Sequence, residues 1–265
     1  MPLLDLHHIQ YTQLDATTWC AAAQLLAPIP LNYFDLLSNP RELFNPNLLL
    51  DTNTRKLCRM QWYYRIPTVF LPARKIAHNQ RQQQRAGVRL LLQSLLNKLD
   101  MIDTLDDSRF PYQLTNSQYY VCFSHTGAHS KIISTQHKNK KSFDGLNAKV
   151  AVVISAYRPS GIDIEVNNVA WQVAQRFYHT NEMAILQTLP TVQRDIIAKL
   201  LWQIKESFIK IYQYKLAQGL GVDYSYLIAD LISSNNENLP IIIFNDDKSN
   251  YHIALLPYQN TVIVY

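Results

Sequence analysis

The sequence is short of cysteine and of charged side chains, and it has no long apolar run. Its three cysteines, Cys20, Cys58 and Cys122, are widely spaced and form no CxxC pair, which is typical of reduced thiols in a cytoplasmic protein. Charged residues make up 17% of the chain and hydrophobic residues 48%, so the composition predicts a globular protein and not a disordered one. No signal-peptide pattern opens the chain and no apolar stretch approaches membrane-spanning length, so we expect a cytoplasmic protein without a membrane partner.

Length and net charge bound the domain count and the class of ligand. The 265 residues suffice for one large domain or two small ones. The net charge of +5 favours acidic partners or phosphate-rich ligands. Nucleic acid is the obvious competing partner, but the sequence contains no helix-turn-helix, zinc-finger or RNP motif, and we expect none.

Residues 161–165 have the sequence Gly-Ile-Asp-Ile-Glu, which predicts a half-buried strand. Ile162 and Ile164 would point into a core, while Asp163 and Glu165 would point together to the other side, about 7 Å apart. Two negative charges at that separation repel by about 2 kcal/mol in protein-like surroundings. A third carboxylate nearby would therefore require a cation.

The candidate third carboxylate is Glu206, in a predicted helix over about residues 192–218. Trp202 and Lys210 lie one turn before and after it, almost opposite the apolar stripe. An aromatic residue on the supposedly polar face predicts that this face lines a cleft. Carboxylate oxygens suit a hard ion such as Mg²⁺. The alternative is an acidic surface strand unrelated to an exposed Glu206–Lys210 pair, worth about 0.3–0.5 kcal/mol.

Together these segments resemble the 4′-phosphopantetheinyl transferases, specifically the large, monomeric, surfactin-type branch. That family carries a G-I/V-D-x-E strand and a W-x-x-K-E-S/A-x-x-K helix, and here Asp163 and Glu206 are 43 positions apart. The resemblance implies an α+β fold of two halves related by pseudo-twofold symmetry, residues 1–157 and 158–265. Coenzyme A would bind between them. The implied reaction transfers 4′-phosphopantetheine from coenzyme A to a serine of an apo acyl or peptidyl carrier protein and releases 3′,5′-ADP.

The resemblance also implies roles for the charged residues of the second half. Asp163, Glu165 and Glu206 would hold Mg²⁺ against the diphosphate. Glu206, Glu182 or a water molecule on the metal would take the serine proton, Glu182 being the acidic residue of a segment similar to the family's A-x-R-F-F-x-x-x-E. Lys210 would contact the cofactor and stabilise or protonate the leaving phosphate.

Coenzyme A contacts in the first half follow from a second motif. A predicted strand over residues 119–123 precedes Ser124-His125-Thr126-Gly127, predicted here as a turn. It matches the S-H-S/T-G whose Ser and His hold the 3′-phosphate in the family, although the asparagine expected before it is replaced. Arg109, ahead of a proline, and Arg81 are the other predicted phosphate contacts.

Arg81 belongs to a predicted helix that Asn79 would cap. Arg81, Arg85 and Arg89 form one basic stripe on it, which is also what a solvated face looks like. Gly87 costs about 1 kcal/mol relative to alanine inside a helix. We therefore expect another helix or a ligand to approach the backbone there.

Zinc binding and nucleophilic catalysis are the alternatives to phosphate binding at this motif. His125 and His129 have the spacing of zinc ligands, but no HExxH arrangement or cysteine set accompanies them. Cys122 could be a catalytic nucleophile with His125 as its base, but a cysteine inside an apolar strand is more often an inert core residue.

Three further stretches are less specific. A lysine-rich insertion over residues 131–149 carries Lys138, Lys140 and Lys141, which would either contact an acidic carrier protein or form a solvated loop. Near the start, residues 3–10 predict a strand and residues 16–26 a helix. Near the end, short β-rich runs at residues 241–244, 252–256 and 262–265 predict an antiparallel sheet. For the whole chain the alternative function is a non-catalytic basic protein that binds polyphosphate or nucleic acid, or a transferase fold that has lost activity.

Overall fold

The computed structural model describes residues 4–26, 73–127, 147–235 and 239–265. Within these ranges the fold is α+β. The strands are β1 (Asp5–Gln13), β2 (Thr18–Leu26), β3 (Leu105–Asp106), β4 (Tyr112–Leu114), β5 (Tyr120–Gly127), β6 (Asn147–Ser155), β7 (Gly161–Ile164), β8 (Ile242–Asp246), β9 (Tyr251–Leu256) and β10 (Thr261–Val264). The helices are α1 (Ala73–Lys98), α2 (Trp171–Phe177), α3 (Thr180–Thr188), α4 (Thr191–Tyr212), α5 (Leu216–Leu220) and α6 (Ile228–Asn235), with short 3₁₀ turns at Ser225–Leu227 and Pro257–Gln259.

The strands form two antiparallel sheets that divide the chain. The first sheet has the order β1-β2-β6-β5-β4-β3 and the second the order β7-β10-β9-β8. The chain passes from one sheet to the other between Ser155 and Gly161. Each sheet therefore draws its strands from one continuous part of the sequence.

The sheets pack face to face between two helices, which gives four layers. Alternate residues of a strand point to opposite faces, so Ala21 and Leu25 of β2 pack towards α1 while Cys20 and Ala22 face the second sheet. In the second sheet Ile263 of β10 faces the first sheet, and its neighbours on either side pack towards α4. The order of the layers is α1, first sheet, second sheet, α4.

The structure corrects four predictions from the sequence, two about the type of an element and two about the end of a helix. Residues 16–26 are not a helix, because β2 is hydrogen-bonded to β1 on one side and β6 on the other. A central strand buried on both faces is apolar throughout, and its periodicity does not distinguish it from a buried helix. Residues 124–127 are not a turn but the end of β5, paired with β6. α1 begins at Ala73, before Asn79, and α4 ends at Tyr212, before residue 218.

Other predicted elements are confirmed. β1 covers most of residues 3–10, and β8, β9 and β10 form the predicted C-terminal antiparallel sheet. Of the lysine-rich insertion at 131–149, only residues from 147 onwards are among those described, so Lys138, Lys140 and Lys141 lie outside them. Across the described ranges, the helices are all too short or too polar to cross a membrane.

Gly87 has a neighbour that the sequence did not predict. A Cβ on Gly87 would lie 2.8 Å from a methyl carbon of Leu25. The close approach is therefore made by a strand side chain, and not by another helix or a ligand. Its consequence is that α1 lies directly on β2.

A close approach of two backbones joins β7 to α4 at Gly161. A Cβ on Gly161 would lie 2.1 Å from the carbonyl oxygen of Ser207. Because a carbon atom cannot occupy that position, the two backbones can be this close only when residue 161 is glycine. The contact places β7 beside the middle of α4.

We expect Gly161→Ala to separate β7 from α4 and to lower the free energy of unfolding by about 3 kcal/mol, the upper end of overpacking costs. Gly221→Ala is the matched control, because a Cβ there meets only carbonyl oxygens at 3.5 and 3.6 Å. Urea unfolding monitored by circular dichroism measures both. Equal stability of the two variants would contradict the described contact.

Candidate functional site

A cleft of about 280 Å³ lies where β5, β7 and α4 meet. Side chains separated by up to 87 positions in the chain share it, because β5 ends beside β7 and α4 crosses β7. Its lining residues are Phe123, Ser124, His125, Asp163, Ile164, Glu165, Trp202, Glu206 and Lys210.

The alternation predicted for residues 161–165 is confirmed. Ile162 and Ile164 are buried between the two sheets, while Asp163 and Glu165 line the cleft. The prediction for α4 is also confirmed, since Trp202, Glu206 and Lys210 all face this cleft. The structure thus brings together the three carboxylates and the lysine that the sequence singled out.

Asp163 is held by two side chains from different elements. The ammonium of Lys210 donates to its Oδ1 at 3.1 Å and also to the carbonyl of Ile162. The hydroxyl of Ser124 donates to the same Oδ1 at 3.0 Å. Asp163 as a residue is 8% exposed, so these contacts determine the orientation of its carboxylate.

Glu165 lies beyond the end of β7 and is held less tightly. Its Oε1 accepts from the hydroxyl of Thr126 at 3.3 Å and from the backbone N–H of Asn167 at 2.9 Å. The ammonium of Lys199 donates to Asn260 Oδ1 at 3.0 Å and is close enough for the charge of Glu165 to raise its pKa, although burial lowers the pKa of Lys199 more strongly.

The pKa of Glu206 reflects its burial first and the charges of its neighbours second. Burial raises the pKa of its carboxyl, the nearby Lys210 lowers it, and the charges of Asp163 and Glu165 raise it again. The net direction is upward. A cation placed among these carboxylates would relieve the repulsion.

Lys210 has the opposite balance. Burial is the largest single effect and by itself would lower the pKa of its ammonium, but the charges of Asp163, Cys122 and Glu206 and the hydrogen bond to Asp163 together outweigh it. The pKa is raised above its ordinary value. Lys210 is therefore a permanent positive charge at neutral pH.

His125 points to the other side of β5, towards α1. Its ring keeps an exposed edge, yet partial burial lowers its pKa, and the positive charges of Lys210 and Arg85 lower it further. The positive charges of Arg85 and Lys210 therefore both act at the His125 ring, so a phosphate beside this ring would meet positive charge.

The oxygen donors of the cleft suit a divalent ion that is completed by ligand and water oxygens. Among the described residues, no three histidine, cysteine, aspartate or glutamate side chains already stand together as a metal cluster. Mg²⁺, however, is usually held by one or two carboxylates and completed by phosphate and water oxygens. Asp163, Glu165 and Glu206, all oxygen ligands around one cleft, fit such a site.

Glu182 does not share the cleft. It lies in α3, where it is fully buried and forms an ion pair with Lys205 at 2.9 Å. Its carboxylate also accepts from the backbone N–H groups of His179 and Tyr224, at 3.0 and 2.9 Å. These contacts give Glu182 a structural function that joins three segments, at a place that an external hydroxyl group cannot reach.

Arg81 and Arg109 are exposed and are not part of the cleft lining. Arg85, one turn after Arg81, is the residue of the basic stripe whose charge acts on His125. Arg89 is engaged elsewhere in an ion pair with Asp107. Arg85 is likewise exposed and outside the cleft lining, so its support as an anion contact is its charge acting on His125.

Sequence reasoning missed three residues that build the site. Gln203 is buried in α4 and donates to the backbone carbonyls of Asp163 and Asn260 at 3.3 and 2.8 Å. Thr126 contacts Glu165, and Lys205 anchors α4 through Glu182. Two of the three had a visible signal, because Lys205 belongs to the W-x-x-K-E motif and Ser124-x-Thr126 has the same spacing as Asp163-x-Glu165.

Comparison with known proteins adds no assignment. No protein-family model matches the chain, and no curated protein sequence matches it.

We expect Lys205→Met to lower the free energy of unfolding by about 3–5 kcal/mol, because it leaves the buried Glu182 carboxylate without its cation. Adding Glu182→Gln to Lys205→Met removes that orphaned charge and should recover part of the loss. Lys215→Met, at an exposed position preceding α5, is the control and should change stability by less than about 0.5 kcal/mol. Urea unfolding distinguishes these cases, and a double variant less stable than Lys205→Met would contradict the description.

Proposed function

We propose that the protein is a Mg²⁺-dependent 4′-phosphopantetheinyl transferase that modifies an apo carrier protein with the phosphopantetheine arm of coenzyme A. The observation that carries the proposal is the convergence of Asp163, Glu165, Glu206 and Lys210 in one cleft. These are the residues of the two motifs on which the resemblance rests. The proposal includes a fold of two related halves that bind coenzyme A between them. It also includes a monomeric state and a cytoplasmic location.

The charge distribution supports a ligand that carries several phosphates. Arg85 and Lys210 place positive charge around His125, and the carboxylates line the same cleft as His125 and Lys210. A second groove of about 190 Å³ adjoins the cleft and shares Glu165 and Trp202 with it. It gives room for a ligand longer than a diphosphate.

Asp163, Glu165 and Glu206 would hold Mg²⁺, which neutralises charge on the diphosphate oxygens when it is bound. Lys210 contributes a fixed positive charge next to the same oxygens. Because its pKa is raised, it stays protonated and can donate a hydrogen bond to the leaving phosphate.

The bond changes are those of a phosphoryl transfer to an alcohol. The serine oxygen of the carrier forms a bond to the phosphorus that bears the pantetheine arm. The bond from that phosphorus to the bridging oxygen breaks, and 3′,5′-ADP leaves with its electrons. Glu206 takes the serine proton, because it is the cleft carboxylate not already oriented by hydroxyl groups of β5.

The direct test is mass spectrometry of a panel of apo carrier proteins incubated with the enzyme, coenzyme A and Mg²⁺. We expect at least one carrier to gain the mass of one phosphopantetheine. Asp163→Asn and Glu206→Gln should lower the rate at least about 100-fold. Asp195→Asn, which changes an acidic residue of α4 outside the cleft, is the control and should retain the rate.

Two outcomes would contradict the proposal. The first is no modification of any fatty-acid, polyketide or peptide-synthetase carrier. The second is binding of coenzyme A with equal affinity with and without Mg²⁺, because a non-catalytic polyphosphate-binding protein needs no divalent ion.

We expect His125 to make the affinity for coenzyme A increase as the pH falls from 8 to 6.5. In the free protein its pKa is lowered, so the ring is neutral near pH 7. A bound 3′-phosphate would raise that pKa, and binding would take up a proton. The affinity ratio of coenzyme A to dephospho-coenzyme A should rise about threefold to tenfold over this range.

Calorimetry with both ligands measures this ratio. His125→Ala should remove its pH dependence, whereas His78→Ala, at an exposed position of α1, should keep it. A pH-independent ratio in the wild-type protein would exclude His125 as the phosphate contact.

A further inference from the structure

Two hydroxyl groups of β5 contact the two carboxylates that follow Gly161, in a repeated arrangement. Ser124 Oγ donates to Asp163 Oδ1 at 3.0 Å, and Thr126 Oγ1 donates to Glu165 Oε1 at 3.3 Å. Both pairs are separated by 39 positions in the chain. The contacts therefore form two successive rungs between β5 and the segment of β7.

The rungs follow from strand geometry. Residues two apart on a strand point to the same face, so Ser124 and Thr126 share the face of Cys122, which packs against the second sheet. His125 lies between them and points to the opposite face, where the charge of Arg85 acts on it. The side chains of Ser124 and His125 therefore lie on opposite faces of β5.

Ser124 has no donor left for a ligand. A serine hydroxyl has one hydrogen to donate, and here it is donated to Asp163. The same oxygen accepts the backbone N–H of Ile164 at 3.1 Å, and the residue is only 5% exposed. An ionised phosphate offers only acceptors, so Ser124 would have to leave Asp163 in order to bind one.

We infer that Ser124 and Thr126 are positioning residues for the carboxylates of Asp163 and Glu165, and that Ser124 is not a phosphate contact. Each hydroxyl orients a carboxylate oxygen so that the remaining lone pairs face the cleft. The inference rests on the proposed function only for the identity of the ion and of the phosphate ligand. The hydrogen bonds themselves do not depend on it.

The first experiment titrates the purified protein with Mn²⁺ and measures free Mn²⁺ by electron paramagnetic resonance. Loss of a group that orients a metal ligand typically weakens metal binding about 10- to 100-fold. We expect a loss of about tenfold for Ser124→Ala and a smaller loss for Thr126→Val, because its bond is longer. Ser124→Thr and Thr126→Ser keep the hydroxyl and should restore the affinity.

The second experiment compares the affinities for coenzyme A and dephospho-coenzyme A at saturating Mn²⁺. Ser124→Ala should leave their ratio unchanged, while His125→Ala should reduce it. The inference is overturned if Ser124→Ala reduces the ratio as His125→Ala does and leaves Mn²⁺ affinity intact.

A double-mutant cycle decides the matter without any ligand. The shift in melting temperature caused by Ser124→Ala should be smaller when Asp163 is already alanine, because the hydrogen bond is then absent in both proteins. Thr126→Val combined with Asp163→Ala removes groups that are not bonded to each other, so their shifts in melting temperature should be closer to additive. Failure of the wild-type protein to bind Mn²⁺ and coenzyme A would refute the proposed function, and the cycle alone would then support or overturn the pairing.

Discussion

The site depends on the contact between β7 and α4 at Gly161 and Ser207. Glycine allows the two backbones to approach to a distance at which a Cβ would overlap the Ser207 carbonyl. At that separation the ammonium of Lys210 reaches both Asp163 and the carbonyl of Ile162. Glu206, one turn earlier on α4, is thereby brought to the same cleft. A wider spacing would leave the carboxylates on two unconnected surfaces.

Two lysines of α4 show how the surroundings of a charge determine what it does. Lys205 is fully buried and is surrounded by Glu182 and the carbonyls of Leu220 and Val222, so every donor of its ammonium has a partner. Burial lowers its pKa, and Glu182 offsets part of that effect. Lys210, with its raised pKa, faces the cleft. The first lysine anchors the helix, and the second is available to a ligand.

The strands that carry the site also build the apolar layer between the sheets. Cys122 of β5 and Ile162 of β7 are part of that layer, and Ser124 and Asp163 follow them on the same strands. Because successive residues of a strand point to opposite faces, the Ser-His-Thr motif places its side chains on both faces of β5. Ser124 and Thr126 contact the carboxylates on one face, while His125 lies on the other face, towards α1.

Local patterns determined which residues of the second half would share a face. The alternation in residues 161–165 and the helical spacing of Trp202, Glu206 and Lys210 depend only on the periods of strand and helix, which every residue of such an element obeys. The sequence also contained the α+β class and the C-terminal sheet. The tertiary structure alone decided the rest. A glutamate in this segment could be either catalytic or structural as far as the sequence shows. The buried ion pair with Lys205 gives Glu182 its structural function. Likewise, Arg85 and not Arg81 acts on His125, and residues 16–26 form a strand because β1 and β6 lie on both sides of them. In each case the deciding partner is distant in the chain, and its proximity is a consequence of packing that no local period encodes.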